Sequence, residues 1–188
     1  MTADPETLGR IVALLDGAGV PYMVTGSVVS SHHGLPRMTH DADVVVDLEV
    51  GSLERLLTAL QATDLYVGVD TAREALRTRR QFNVIDPASG FKIDLIVLKD
   101  RLFSRVEFGR RRPARLTDAL TVVAATAEDS ILSKLEWSRK AGESAQQLAD
   151  AAGVVRMSGG SLDVGYIERW AEELGVLDLW RRVAISPR

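Results

Sequence analysis

The stretch Asp41-Ala42-Asp43-Val44-Val45-Val46-Asp47-Leu48 constrains this chain more than any other. In a β-strand, successive side chains point to opposite faces. Asp41 and Asp43 then share one face, while Ala42, Val44, Val46 and Leu48 share the other and point into an apolar core. Two carboxylates side by side repel, so each is harder to ionise than it would be alone. A divalent cation removes that conflict, and Mg²⁺ binds oxygen ligands while keeping positions for water and phosphate. Upstream, Tyr22 to Thr25 reads as a strand stopped by Gly26, and Ser27 to His33 as a short helix ended by Gly34-Leu35-Pro36. Such a turn exposes backbone N–H groups at a helix N-terminus, where phosphate is favoured. Gly26 would let a phosphate approach closely and Ser27 would add a hydroxyl donor. A plain turn with Ser27 as N-cap is the alternative, and the downstream aspartates weigh against it.

A third carboxylate extends the pattern. Phe91-Lys92-Ile93-Asp94-Leu95-Ile96-Val97 alternates as a half-buried strand with Asp94 off its apolar face. Paired beside the Asp41–Asp43 strand, it would bring three carboxylates to one face, a ligand set for two-metal phosphoryl or nucleotidyl transfer.

The rest of the chain predicts an α/β core followed by a helical tail. Asp4-Pro5-Glu6 has the form of a helix start, with Leu8, Ile11, Val12 and Leu15 at helical spacing behind it. Gly51 to Ala62 is expected as a helix, Leu65 to Val69 as a strand, and Thr71 to Arg79 as a short basic helix or loop. Gln81 to Ile85 and Phe91 to Val97 form a predicted hairpin around Asp86-Pro87-Ala88-Ser89-Gly90. Leu102 to Phe108 is ambiguous between helix and strand, and Leu120 to Ala124 is a candidate last strand. Four helices follow: Glu128 to Arg139, Glu143 to Val155, Leu162 to Glu173 and Val176 to Val183. The expected division is a core over 1–125 and a helical domain over 126–188 that completes the cleft. Lys134 and Asp150 sit eight residues either side of Gly142, so in a helical hairpin turning there they face each other. On the residues alone, an ordinary salt bridge is the leading reading, worth little if exposed.

The Gly-Ser turn, the Asp-x-Asp and the lone strand Asp, in that order and spacing, resemble the nucleotidyltransferase superfamily over roughly residues 20–100. Arg37-x-Thr39-x-Asp41-x-Asp43, with Lys134-Leu135 and Asp150 in the tail, is similar to the AbiEii/MenT-type nucleotidyltransferase toxins of bacterial toxin–antitoxin systems. The resemblance implies a polymerase-β-like mixed sheet with flanking helices and a C-terminal helical bundle. It implies catalytic roles for Asp41, Asp43, Lys134, Asp150 and Thr39, nucleotide binding by Gly26, Ser27, Arg37 and Lys134, and metal binding by Asp41, Asp43 and Asp94. Lys134 would contact the triphosphate, and Asp150 would hold Lys134 or assist proton transfer. Thr39 would hydrogen-bond phosphate or fix the metal ligands, and Arg37 would stabilise the leaving pyrophosphate with its planar fork; loop structure is the alternative for both. The implied cofactor is Mg²⁺ or Mn²⁺ and the implied donor CTP or UTP. The implied partners are the acceptor end of tRNA and a cognate antitoxin.

Composition narrows the rivals. From Arg73 to Arg115, twelve basic residues stand against five acidic ones, in a chain whose formal net charge is −3. That basic middle suits a polyanion, with Arg110, Arg111 and Arg112 as candidate RNA contacts if they lie on the cleft side. A solvated, salt-bridged face is the competing reading. An aminoglycoside-type small-molecule nucleotidyltransferase should carry an acidic pocket instead. A catalytically silent antitoxin or binding member of the fold need not retain the three aspartates. The absence of Cys excludes disulfides and thiolate zinc sites. No apolar run is long enough for a membrane span and no signal sequence opens the chain, so a cytoplasmic protein with no membrane partner is expected. His32, His33 and His40 lack the i, i+4 spacing of a zinc motif. Trp137, Trp170 and Trp180 are expected to pack in the core.

Overall fold

The computed structural model describes residues 4–34 and 41–185. Arg37, Thr39 and His40 therefore lie outside the described residues.

The chain opens with α1 (Pro5–Gly17), β1 (Tyr22–Thr25), α2 (Gly26–His33) and β2 (Asp41–Val46). Asp4 caps α1 as its sequence predicts, accepting from the backbone N–H of Glu6 at 3.1 Å and of Thr7 at 3.2 Å. Helix α3 (Val50–Gln61), β3 (Tyr66–Val67), α4 (Val69–Thr78) and the hairpin β4 (Gln81–Ile85) and β5 (Lys92–Val97) follow. The expected strand from Leu65 to Val69 shrinks to two residues, because Gly68 is already the N-cap of α4. The ambiguous segment is helix α5 (Leu102–Arg110), and Leu120 to Ala124 supplies β7 (Thr121–Ala124). A strand that the sequence did not suggest, β6 (Arg112–Arg115), pairs antiparallel with β7 at the sheet edge. Its sequence, Arg-Pro-Ala-Arg, has no apolar alternation, and Pro113 is tolerated because an edge strand leaves N–H groups unpaired.

The described strands form one mixed sheet in the order β3-β4-β5-β2-β1-β7-β6. The β2–β5 and β1–β7 pairs are parallel, the others antiparallel. Ala42, Val44 and Val46 are fully buried, so β2 presents its apolar face to the core as its alternation requires.

The tail comprises α6 (Ala127–Lys140), α7 (Ala145–Ser158), a 3₁₀ turn (Gly159–Ser161), α8 (Val164–Glu173) and α9 (Leu177–Ile185). One apolar cluster joins the sheet to α1, α3 and α4, and a second is built from the tail helices. Helix α5 links them, with Phe108 in the first cluster and Phe103 in the second. Helix α2 packs on α6 and α7. Gly34 at its end lies so close to α7 that a Cβ there would meet the Gly153 and Val154 backbone at 2.9 Å, a contact only glycine permits. Among the described residues, no helix is long and apolar enough to cross a membrane.

Candidate active site

The parallel register of β2 and β5 sets Asp43 directly beside Asp94, and Asp41 beside Lys92. Thr25 of β1 is opposite Asp43 on the other side, and Asn83 of β4 is opposite Asp94. One sheet face thus carries Asp41, Asp43 and Asp94 together with Lys92. Lys92 Nζ donates to Asp94 Oδ2 at 3.0 Å, and Gln81 Nε2 approaches the same oxygen at 3.5 Å. Asp94 Oδ1 is buried with no hydrogen-bond partner. Burial pushes the Asp43 carboxyl above the usual range, and the charges of Asp94 and Asp41 push it the same way; Lys134 and Lys92 act against the rise. The repulsion expected of paired carboxylates is therefore present.

Gly26 begins α2 with a left-handed φ of 67°. A Cβ at this position would overlap Asp43 Oδ2 and lie 2.8 Å from Asp43 Cγ and 2.9 Å from its Cβ. The close approach that demands glycine is therefore made by the Asp43 side chain itself. Thr25, not Ser27, holds the N-cap position of α2, and its side chain makes no capping hydrogen bond. Ser27 is buried within the first helical turn.

Facing the sheet is a cavity of about 590 Å³, bounded on the sheet side by Thr25, Gly26, Asp43 and Asp94. Helix α6 supplies the facing wall through Ser130, Ser133, Lys134, Trp137 and Lys140, positions that recur at helical spacing on one stripe. Lys134 Nζ donates to Asp150 Oδ2 at 2.9 Å, each side chain only 7% exposed. The two residues meet across the α6–α7 hairpin as their symmetry about Gly142 predicts, but the pair is buried, not a weak surface bridge. Gln146 Nε2 donates to Asp150 Oδ1 at 2.9 Å and completes the carboxylate's orientation. Gly26, Asp43, Asp94 and Lys134 thus share one cavity, while Ser27, Asp41 and Asp150 stand beside it outside its lining.

The donor set suits a hard cation. All three carboxylates offer oxygen, one oxygen of Asp94 is unpartnered, and the Asp43 carboxyl is held in repulsion that a cation would relieve. Among the described residues, no group of three His, Cys, Asp or Glu side chains is placed to hold a metal ion by itself, so substrate oxygens and water would have to complete the coordination.

Among the cavity residues that the sequence does not single out for the site, two stand out. Glu107 on α5 is 8% exposed and lines the cavity. Burial and the nearby Asp129 raise its pKa to about 7, against hydrogen bonding from Ser133 and the charge of Arg101. The signal was its i, i+4 relation to Phe103, which puts a carboxyl on an apolar helix face. Trp137, expected in the core, is 57% exposed and faces the cavity; Trp180 does pack in the core.

Most of the basic middle is neutralised internally. Arg73 pairs with Glu54, Arg77 with Glu74, Arg105 with Asp100 and Arg115 with Asp118. Arg110 pairs with Asp129 and Glu128 and lies 3.9 Å from the centre of the Tyr166 ring. Arg111 lies over Phe108, and Arg112 is on the edge strand. None of Arg110, Arg111 and Arg112 lines the cavity, whereas Arg80 and Lys99 do.

No family model matches this chain, and no curated protein matches it. Among solved structures it is similar to the antibiotic-resistance factor ANT(2'')-Ia, at 12% identity and a TM-score of 0.59, over 95% of this chain and 96% of that one. It is also similar to an antigenic nucleotidyltransferase-like protein from Paracoccidioides brasiliensis, at 14% identity and a TM-score of 0.58, over 95% of this chain and 91% of that one. The likeness is one of fold, the nucleotidyltransferase fold, and it spans nearly the whole of this chain.

Proposed function

We propose that the protein is a metal-dependent nucleotidyltransferase that moves a nucleotide from a nucleoside triphosphate to an acceptor hydroxyl and releases pyrophosphate. The observation that carries this reading is the placement of Asp43 beside Asp94, on the floor of a cavity whose facing wall presents Lys134. Mg²⁺ or Mn²⁺ held by Asp41, Asp43 and Asp94 would lower the pKa of the attacking hydroxyl and neutralise charge on the leaving group. The first turn of α2 would offer backbone N–H groups to phosphate. Lys134 adds a positive charge to the same cavity, and Asp150 fixes the direction of its ammonium. Arg37 and Thr39 would assist, with Arg37 on the departing pyrophosphate.

The resemblance to AbiEii/MenT-type toxins supports an RNA acceptor, the 3′ end of tRNA, with CTP or UTP as donor and a cognate antitoxin as regulator. The acceptor's phosphates would then pass Arg80 and Lys99. A second reading, a small-molecule acceptor of the aminoglycoside type, is favoured by the internal pairing of the arginines and by Glu107, an acid in the cavity wall. Incubating the protein with total tRNA and each labelled triphosphate separates the two. Asp41→Ala and Asp43→Ala should abolish Mg²⁺-dependent transfer and leave the fold intact. Undiminished transfer by Asp41→Ala would overturn the mechanism.

A further inference from the structure

Trp137 is anomalous for a tryptophan in a folded helix. It is 57% exposed, and among the described residues it makes no ring contact. By contrast, Trp180 is 3% exposed, and Trp170 packs at 5.2 Å from Phe103 and 6.4 Å from Tyr166. The exposed face of Trp137 opens onto the cavity that holds Asp43 and Lys134. It lies one turn beyond Lys134 on α6, about 4.5 Å further along the helix axis. Across the hairpin, Gln147 lies one turn from Asp150, so Trp137 and Gln147 form the next level after the Lys134–Asp150 pair. Gln147 also lines the cavity, and its Oε1 is buried with no hydrogen-bond partner.

We propose that Trp137 and Gln147 form a nucleobase site, with the base stacked on the indole and its edge read by the Gln147 amide. This rests on the nucleotidyltransferase reading above and deepens it. The order along the hairpin, Lys134 then Trp137, is the order in which a nucleotide presents phosphate and then base. Stacking needs only a π-face and tolerates any base. The amide supplies both a donor group and an acceptor group, and an unpaired buried carbonyl gains most from a base that offers an exocyclic amine. The base could belong to the donor triphosphate or to the 3′ end of a nucleic-acid acceptor; the stacking chemistry is the same.

The test is equilibrium binding, with no need for turnover. Wild type, Trp137→Ala and Trp137→Phe are titrated with each nucleoside triphosphate, with inorganic tripolyphosphate, and with a short single-stranded oligoribonucleotide bearing a 3′ hydroxyl. Trp137→Ala should weaken base-bearing ligands by roughly tenfold or more and leave tripolyphosphate unchanged, while Trp137→Phe retains part of the affinity. Nucleotide should quench the wild-type tryptophan fluorescence, and that quenching should vanish in Trp137→Phe, since the other two tryptophans lie outside the cavity lining. A loss confined to the triphosphates assigns the base to the donor, and a loss confined to the oligoribonucleotide assigns it to the acceptor. Triphosphate and oligoribonucleotide affinities equal in wild type and Trp137→Ala overturn this inference alone. Failure of wild type to bind any triphosphate overturns the proposed function and this inference with it.

Discussion

Gly26→Ala is the most informative single substitution, because two independent costs can be worked from the structure. The left-handed φ of 67° costs an L-residue about 1–2 kcal/mol relative to glycine. The added methyl would also lie 2.8 Å from Asp43 Cγ and 2.9 Å from its Cβ. Neither atom is the free end of a flexible chain, so Asp43 must change rotamer or β2 must shift, an overpacking cost of about 1–3 kcal/mol. The total, roughly 2–5 kcal/mol, is a large share of the 5–15 kcal/mol typical of a domain. Asp43→Ala removes the Oδ2 and Cγ overlaps, but the 2.9 Å contact with the Cβ of residue 43 remains; it also removes a buried carboxylate that its neighbours disfavour. The double variant should therefore recover part of the steric cost and keep the backbone part, giving a coupling of about 1–2 kcal/mol in a double-mutant cycle. Urea denaturation measures the four stabilities, and pyrophosphate release measures activity. Gly26→Ala should lose activity because the Asp43 carboxylate is displaced. Full activity in Gly26→Ala, or a strictly additive cycle, would refute the claim that this glycine exists to seat Asp43.

Removing one partner of the buried Lys134–Asp150 pair should cost about 3–5 kcal/mol. Replacing both with Lys134→Met and Asp150→Leu should restore much of the melting temperature, while transfer stays absent because the cavity has lost its ammonium. Glu107 has a folded-state pKa of about 7, above its ordinary 4.5, so the native state binds its proton more tightly. Its stabilising contribution is full below pH 4.5 and is lost as the pH rises to about 7, a change of at most ~3 kcal/mol. Glu107→Gln should then match wild type near pH 4 and exceed it near pH 8, as chemical denaturation across pH would record. If the acceptor is RNA, replacing Arg80 and Lys99 by Ala should flatten the salt dependence of binding by about 0.7 in log–log slope per lost phosphate contact on a single strand. Replacing Arg110, Arg111 and Arg112 should leave that slope unchanged and lower stability, since Arg110 neutralises the fully buried Asp129.

The strands that carry the site were legible because their alternation has a period of two and a polar face marked by aspartate. The facing of Lys134 and Asp150 was legible because a hairpin turning at Gly142 leaves little choice of partner. What was hidden depended on contacts distant in sequence. Strand β6 exists because β7 offers it an edge, not because Arg-Pro-Ala-Arg favours a strand. Arginines such as Arg73 and Arg110 read as a polyanion surface because the acids that neutralise them, Glu54 and Asp129, lie outside the basic segment. Trp137 was assigned to the core because its helix is amphipathic, and the stripe of α6 that faces the cavity is not its most apolar one.

The two aspartates of β2 also act as a spelling check on how the sheet assembles. Within Asp-Ala-Asp-Val-Val-Val they alone distinguish the strand's two faces. A slip of one residue against β1 or β5 would drive both carboxylates into the apolar layer and turn Ala42, Val44 and Val46 outward. Such a misassembled sheet would have to bury two unpaired charges, so it is strongly disfavoured. Replacing Asp43 with valine would leave Asp41 alone to mark the polar face of an otherwise apolar strand. The residues proposed to hold the metal therefore also help the chain choose a single sheet from several nearly equivalent ones.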